Sequence, residues 1–493
     1  MLFRSEFLPE DPERVLNYTY RKTAHYDVEN SIRLISSVRS MEALEHYKIR
    51  QLMSADKKYL ADLSRVPQYK HFISVYNLLK KDSRQAVMKR MIRNLTYKNR
   101  AEKINKETAE ILYGEEMKAS VSRFQSYFNC HFQHFSNYGL KLNVRQDYTV
   151  RPLEIGNLYH NALEKVASDL NMTLQHDDEV IMSSVKEAVQ TVLQTISYGI
   201  FERSEYYLSL KEKAVQAITT TLLFMKDIEK LGNYKMQMIE AVFGKASDQL
   251  GELTLTSPNG KKIILRGKID RVDTYNADGK VYVNIIDYKS SARDLRKPDV
   301  LNGVELQIIT YMYVLMNKAE KILGGKVMPN AMLFYHVNEP KVKAETEEEA
   351  FKERRSALKP KGLFVGDDNA SQIDGNSGLM KLISDSENIN DYYPLKEKKD
   401  GTFDSYSQKR VMSSTMFEHY SNYVMNKFKT ATDEIYDGNT LANPIDTNGG
   451  LPCRFCDFKA ACHIDKLINA GDYRTNRISD DDIEAFESEV HDG

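Results

Sequence analysis

Apolar and polar residues alternate along three short stretches in the middle of the chain, and this pattern limits the folds that the chain can adopt. The stretches cover residues 252–256, 261–272 and 281–287. A Pro-Asn-Gly sequence at 258–260 and an Asp-Gly sequence at 278–279 separate them, and both are typical of hairpin turns. Upstream, apolar residues recur instead at helical spacing. The sequence therefore predicts an antiparallel meander that follows a helical region, which is an α/β class of fold.

Two carboxylates and a lysine fall on neighbouring strands of this meander. Asp270 lies in the motif GKIDRVD, and Asp287 and Lys289 lie two residues apart in the motif IIDYKSS. Side chains two apart on a strand point to one face, and a tight hairpin brings that face beside Asp270. Carboxylate oxygens hold Mg²⁺ and leave positions open for water and a phosphate oxygen. The set predicts metal-assisted phosphodiester hydrolysis, in which Lys289 positions the attacking water or stabilises the transition state.

A surface salt bridge is the alternative explanation of an Asp-x-Lys pair. Ile285 and Ile286 directly precede Asp287, and an apolar strand is not expected to end on a solvated face. The arrival of a second carboxylate on the partner strand also favours a functional site. Within that site, the main-chain carbonyl of Tyr288 is a candidate further metal ligand.

Three residues on predicted helices are weaker candidates for the same site. Gln307 and Tyr311 lie four apart on a helix predicted over 304–323, so they share one face and can contact the lysine and a DNA backbone. A half-buried core pair explains this spacing equally well. His160, on an amphipathic helix predicted over 156–170, is a candidate imidazole ligand, although a lone helical histidine is more often a packed or exposed residue.

The four cysteines of the chain predict a second metal centre. Cys453, Cys456 and Cys462 form a C-x₂-C-x₅-C group in PCRFCDFKAACHID, and Cys130 lies far upstream. Thiolates at this spacing bind soft or borderline metal ions strongly. Four of them would complete either a tetrahedral zinc site or a cubane iron–sulfur cluster. His463 also keeps a site of three cysteines and one histidine open.

The composition excludes few functions but constrains the type of protein. The chain has 493 residues, 41% hydrophobic and 28% charged, with a net charge of −1. This length predicts two or three compact units. No apolar run is long enough for a membrane span, and the start does not read as a signal peptide, so we expect a cytoplasmic protein. The absence of a G-x-x-x-x-G-K-[ST] motif excludes a P-loop ATP site in this chain.

The sequence also predicts boundaries. Residues 1–115 are polar and helical in period, and residues 116–493 hold all the candidate site residues. Within the second region, helix is predicted at 178–231. Residues 339–404 are charged and contain several Gly, Asn, Asp and Ser positions, so we interpret them as a surface insertion.

Six segments resemble, in the same order, the nuclease region of the AddB (RexB) family. They are SVSRFQSYFNCHFQHFSNYGLKL, GNLYH, GKIDRVD, IIDYKSS, LQIITYMY and PCRFCDFKAACHID. This family has a nuclease domain of the RecB-like branch of the PD-(D/E)xK superfamily. The resemblance covers residues 105–465. It implies a restriction-endonuclease-like core with a mixed sheet flanked by helices, closed by an iron–sulfur staple.

The resemblance also implies roles for single residues. It favours a [4Fe–4S] cluster over zinc, with the ligands Cys130, Cys453, Cys456 and Cys462. It implies that the catalytic Mg²⁺ is bound by His160, Asp270 and Asp287, with Lys289 as the catalytic lysine and Gln307 and Tyr311 in a Q-x-x-x-Y motif. The implied activity is exonucleolytic degradation of unwound single-stranded DNA during double-strand break repair by recombination, in a complex with an AddA-type helicase–nuclease subunit.

The chain departs from the family in two respects. His131 follows the first cluster cysteine, where the family usually has proline. Members of the family are also much longer, with helicase-like domains and an ATP motif that this chain lacks. We therefore interpret residues 1–115 as a helical remnant of that region and do not transfer ATP binding, helicase activity or Chi recognition. A non-catalytic DNA-holding fragment that needs its AddA partner, or a free-standing iron–sulfur exonuclease, are the alternatives.

Overall fold

The computed structural model describes residues 103–143, 152–196, 205–366, 382, 388–399, 402–447, 450–462, 464 and 473–489. The predicted helical remnant over 1–115 lies outside the described residues up to position 102. The chain divides into two compact units. The larger comprises Lys103–Thr440, Ile445–Pro452 and Thr475–Gly493, and the described part of the smaller lies within Leu441–Pro444 and Cys453–Arg474.

The larger unit begins with short elements whose ends are set by capping residues. These elements are α1 (Lys106–Tyr113), β1 (Met117–Ser120), α2 (Val121–Asn129) and α3 (His131–His134), and a π-helical turn (Phe135–Gly139) follows them. Asn105 caps α1 by accepting a hydrogen bond from the Thr108 N–H at 2.8 Å, and Gly114 ends it at φ +81°. Ser120 caps α2 through the Arg123 N–H at 3.2 Å. The predicted caps are confirmed.

Three long helices follow, namely α4 (Pro152–Asp169), α5 (Asp178–Ile196) and α6 (Glu205–Leu231). The helix predicted around His160 is confirmed and is α4. The helix predicted over 178–231 corresponds to α5 and α6, and residues 197–204 between them lie outside the described part. Apolar residues of all three helices, among them Leu158, Val185 and Ile218, are fully buried in one hydrophobic cluster.

Eight strands of the described chain form one mixed sheet. They are β1, β2 (Lys235–Phe243), β3 (Leu253–Thr256), β4 (Lys262–Ala277), β5 (Lys280–Lys289), β6 (Lys326–His336), β7 (Lys361–Gly366) and β8 (Val411–Ser413). The order is β1-β4-β5-β6-β7-β8, and β2 and β3 also pair with β4. Parallel pairs (β1–β4, β5–β6, β7–β8) alternate with antiparallel ones. The predicted fold class, a mixed sheet flanked by helices, is confirmed.

The hairpin of β4 and β5 positions the candidate residues. Its turn is formed by Asp278 and Gly279, both at positive φ (+51° and +72°), which matches the right-handed twist of the two strands. Arg271 pairs with Ile286 near the far end of the ladder. The predicted meander is confirmed because β3 also pairs antiparallel with β4.

The remaining elements of the larger unit cover the sheet or extend its edge. They are α7 (Lys297–Asn302), α8 (Gln307–Lys318), α9 (Glu320–Leu323), α10 (Glu347–Leu358), a 3₁₀ turn (Ile389–Asp391), α11 (Ser405–Gln408), α12 (Ser414–Tyr436), β9 (Ile445–Asp446) and α14 (Asp480–Ser488). A 3₁₀ turn (Pro452–Phe455), α13 (Lys459–Cys462) and β10 (Arg474–Thr475) are the other described elements.

The sheet is buried on both faces. Ile285 belongs to the hydrophobic cluster that contains residues of α8 and α12, and Ile286 belongs to the cluster formed with α4, α5 and α6. Successive residues of β5 therefore serve opposite cores, as the pleat of a strand requires. None of the described helices combines the length and the apolar character that a membrane-spanning segment needs.

The surface insertion predicted over 339–404 is wrong for part of its length. Residues Lys361–Gly366 form β7, which pairs antiparallel with β6 and parallel with β8 and is buried over five of its six positions. Tyr393 and Leu395 are buried in the core as well. A charged surrounding sequence and Gly362 and Gly366 concealed this strand. Its Gly362 is required, because a Cβ there would lie 1.9 Å from the Met332 carbonyl oxygen.

Candidate active site

Asp270 of β4 is held by a helix and by the neighbouring strand. Its Oδ2 atom lies 3.1 Å from Nδ1 of His160 on α4. The same oxygen accepts a hydrogen bond from the main-chain N–H of Tyr288 at 2.9 Å. The Asp270 side chain is 10% exposed, so these contacts take the place of water for most of the carboxylate. The structure thus brings together three positions that are far apart in the sequence.

Asp287 and Lys289 form an ion pair on one face of β5, as the two-residue spacing predicted. The Asp287 side chain is 2% exposed and that of Lys289 18%. Burial raises the pKa of Asp287 to about 6, and the charge of Asp270 adds to this rise. Lys289 and His160 oppose it. The surface salt bridge considered as an alternative is excluded by this burial.

His160 responds to the same carboxylates. Burial lowers its pKa, but the hydrogen bond and the charge of Asp270 outweigh that effect, and Asp287 adds to them, so the pKa lies above its ordinary value. The imidazole also meets the ring of Tyr288 edge to face, with 6.4 Å between centroids. His160 is therefore part of the same charged cluster as both aspartates, which is the position that a metal ligand requires.

Gln307 and Tyr311 form a pair at the start of α8. Gln307 Nε2 donates to the Tyr311 hydroxyl at 2.8 Å, and Tyr311 is 4% exposed. Burial raises the pKa of this phenol, and the charges of Asp287 and Asp270 add to the rise. The pair is both half-buried and next to the carboxylates, so the two explanations of its spacing are compatible.

Gly267 of the GKIDRVD motif makes room for this tyrosine. A Cβ at position 267 would lie 2.6 Å from the ring of Phe243 and 2.8 Å from that of Tyr311. Those two rings meet edge to face at 5.7 Å. The glycine is thus required for close packing rather than for a special backbone angle.

Glu240 of β2 is a site residue that the sequence analysis missed. Candidate ligand atoms of His160, Glu240 and Asp270 all lie within 4.8 Å of one another. The carboxylate of Glu240 also forms an ion pair with Lys268. The signal was present: KMQMIEAVF alternates in its first half, which is enough to suggest a strand before the meander.

A buried ion pair anchors β4 beside the site. Arg271 donates two hydrogen bonds to Asp273, from Nε at 2.6 Å and from Nη2 at 2.8 Å. Arg271 is 3% exposed and Asp273 6%. Met225 of α6 and Tyr393 line the same small cavity as the pair. Arg271 directly follows Asp270, so this pair fixes the backbone that carries the carboxylate.

The donor set suits a divalent cation that prefers oxygen. Carboxylate oxygens and one imidazole nitrogen meet at a single edge of the sheet, and Asp287 is almost fully buried with Lys289 as its ion-pair partner. Buried carboxylates in such numbers need a compensating positive charge. The residues present therefore fit Mg²⁺ or Mn²⁺. A ligand role for the main-chain carbonyl of Tyr288 stays a prediction.

The four cysteines are described within separate units. In the larger unit Cys130 ends α2, with its N–H donating to the Ser126 carbonyl at 3.0 Å. In the smaller unit Cys453 and Cys456 lie in one short turn, and the Cys462 N–H donates to the Phe458 carbonyl at 2.9 Å. His463, the alternative zinc ligand, lies outside the described residues. The cluster and its metal stay a prediction.

Comparison with known proteins gives a family and a set of relatives. The model of the PD-(D/E)XK nuclease superfamily matches residues 118–463. The relatives are proteins named as the B-type component of an ATP-dependent helicase/deoxyribonuclease. The one from Lysinibacillus sphaericus is 31% identical over 77% of this chain and 33% of its own length. Those from Staphylococcus haemolyticus (31%) and Listeria innocua (30%) match 80% and 81% of this chain and 35% and 34% of their own lengths. The chain thus spans about a third of these relatives.

Proposed function

The chain belongs to the PD-(D/E)XK nuclease superfamily, as its motifs predicted, and we propose that it is a Mg²⁺-dependent deoxyribonuclease acting on single-stranded DNA. The observation that carries this proposal is the meeting of Asp270, Asp287 and Lys289 at one buried edge of the sheet, with His160 at 3.1 Å from Asp270. A buried cluster of this charge has no structural benefit of its own, because burial of charged groups is costly.

Each residue has a chemical task in this proposal. His160, Asp270 and Asp287 hold the cation, which supplies charge neutralisation and a lowered pKa for the attacking water. The Lys289 ammonium, on the same face as Asp287, contacts the scissile phosphate and stabilises its developing negative charge. Gln307 orients the Tyr311 hydroxyl, and this pair positions the lysine and the DNA backbone. Asp287 must lose its proton before it can serve as a ligand, so burial makes its ionisation part of metal binding.

The cellular role follows from the relatives, which are named as helicase/deoxyribonuclease subunits. We infer that the chain works with an AddA-type helicase–nuclease subunit and degrades, as an exonuclease, the single strands released from broken duplex ends during recombinational repair. The second candidate is a fragment that holds DNA and cuts only in that complex. It is favoured by the length of the chain, which is about a third of that of the relatives.

The cysteines extend the proposal to a cofactor. Cys130, Cys453, Cys456 and Cys462 bind a [4Fe–4S] cluster that ties the two ends of the nuclease region together. Thiolates favour such a cluster or zinc over the hard cation of the active site.

One experiment separates the two functional candidates. The purified chain is incubated with end-labelled single-stranded DNA and Mg²⁺, alone and after mixing with an AddA-type subunit whose own nuclease site is inactivated. Cleavage by the chain alone that stops with a chelator supports the first candidate. Cleavage that appears only in the mixture supports the second, and no Mg²⁺-dependent cleavage in either condition contradicts both nuclease proposals.

A further inference from the structure

We propose that Glu240 is a ligand of the same divalent cation as His160 and Asp270, so that the metal site extends to both sides of Asp270. This inference rests on the proposed function and adds a ligand that neither the motifs nor the relatives assign. Its basis is the mutual distance of 4.8 Å or less among candidate ligand atoms of the three residues.

The sheet register places Glu240 directly beside Asp270. On β2 and β4, Ile239 pairs with Arg271 and Ala241 with Ile269, so Glu240 stands opposite Asp270. On the other side of β4, Arg271 pairs with Ile286, the residue before Asp287. Asp270 therefore lies between a carboxylate from β2 and one from β5.

The three ligands come from three different elements, which favours a built site over a chance cluster. His160 is on α4, Glu240 on β2 and Asp270 on β4. Ligand sites that combine rigid elements hold their geometry better than sites on a single loop. One imidazole nitrogen with two carboxylates is a donor set that suits Mn²⁺ and Mg²⁺.

A simple ion pair with Lys268 does not account for the burial of Glu240. The Glu240 side chain is 11% exposed, whereas that of Lys268 is 50% exposed. A half-exposed lysine remains partly solvated and compensates a buried carboxylate only weakly. Glu240 also has φ +52°, a costly backbone angle for a residue other than glycine, and it keeps this angle within a strand. A cation beside the carboxylate supplies the missing compensation.

The test compares cation binding by variants without DNA. Mn²⁺ is titrated calorimetrically into the metal-free protein, and Ca²⁺ serves as a second, non-redox probe. Glu240→Gln should weaken Mn²⁺ binding by about tenfold or more, because the loss even of residues that only support a metal ligand has effects of this size. The Mg²⁺ concentration that gives half-maximal cleavage should rise in parallel. Far-ultraviolet circular dichroism and the metal-free melting temperature monitor folding.

Two further variants separate the alternatives. Glu116→Gln is the matched control, because it removes another lysine-paired carboxylate, 3.0 Å from Lys262 on the same β4, and it should leave Mn²⁺ affinity unchanged. Lys268→Met removes the ion-pair partner and should maintain or tighten Mn²⁺ binding. If Lys268→Met weakened binding as Glu240→Gln does, Glu240 would be only a partner of Lys268.

A ligand series distinguishes failure of this inference from failure of the proposed function. If Asp270→Asn loses Mn²⁺ binding while Glu240→Gln binds as tightly as the wild type, Glu240 is not a ligand and the nuclease site stands. If the wild type itself binds no Mn²⁺ and cuts no DNA, the proposed function fails, and the inference fails with it.

Discussion

The main-chain N–H of Tyr288 donates a hydrogen bond to the carboxylate of Asp270, with 2.9 Å between N and Oδ2. This bond links β4 to the strand that carries Asp287 and Lys289 on either side of Tyr288. It orients one oxygen of Asp270, which also faces His160 at 3.1 Å. The relative position of the two aspartates is thus fixed by the hairpin itself and does not require a bound cation.

The packing around Gly267 predicts a loss of stability when a methyl group is added. Gly267→Ala places a Cβ against the rings of Phe243 and Tyr311, and overpacking of this kind costs about 1–3 kcal/mol. Urea unfolding of the metal-free protein measures this cost. Gly156→Ala on α4 is the control, because its Cβ would meet only Ser290 Oγ at 3.5 Å, and it should be neutral or stabilising. Equal stabilities for the two variants would contradict the packing described.

The buried pair of Arg271 and Asp273 predicts a larger effect. Asp273→Ala leaves the guanidinium buried without its carboxylate, which costs about 3–5 kcal/mol. The midpoint of urea unfolding should fall accordingly. Lys352→Ala, which breaks an exposed pair with Glu348, should leave the midpoint unchanged. A small effect of Asp273→Ala would mean that water reaches Arg271.

The raised pKa of Asp287 predicts a pH dependence of the metal-free protein. Its pKa is about 6 in the folded state against 3.8 as the ordinary value, so folding favours the protonated form. The stabilising contribution of that proton is complete below pH 3.8 and is lost as the pH rises to about 6. The change amounts to about 3 kcal/mol.

The comparison with Asp287→Asn isolates this contribution from those of other groups. The unfolding free energy of the wild type minus that of the variant should fall between pH 4 and pH 6 and then level off. A difference that stays flat, or that increases with pH, would contradict a raised pKa.

The cysteines predict a coloured protein. Anaerobically purified chain should contain four iron atoms and absorb near about 400 nm, as thiolate-bound clusters do. Cys130→Ala should unfold the nuclease region rather than only bleach it, because the cluster closes a very long loop. Iron and zinc analysis with circular dichroism checks both points. One zinc per chain without visible colour would support the zinc alternative instead.

The parts of the fold that could be predicted have strong local signals. The β4–β5 hairpin follows from alternation and an Asp-Gly turn, and α1 follows from Asn105 and Gly114 at its ends. Asp270, Asp287 and Lys289 could be placed together because a hairpin register is short-ranged. These predictions need only the pleat of a strand and the chemistry of a turn.

The parts that were missed depend on contacts that are distant in the sequence. β7 is stabilised by pairing with β6 and β8, and its residues 361–366 lie within a charged stretch. Glu240 became a site residue only through the pairing of β2 with β4, which sets it opposite Asp270. His160 has no local feature that separates it from an ordinary helical histidine. Its role was implied by family resemblance and not by spacing.

The most direct test of the nuclease site measures cleavage of single-stranded DNA by Lys289→Met and Asp287→Asn, in the condition in which the wild type cuts. DNA binding is measured in parallel, and Lys165→Met, which breaks an i,i+4 pair with Asp169 on α4, is the control. Both site variants should lose about 10²-fold or more of the cleavage rate and should still bind DNA, whereas the control should cut normally. Cleavage at the wild-type rate by either site variant would contradict the assignment of Asp287 and Lys289.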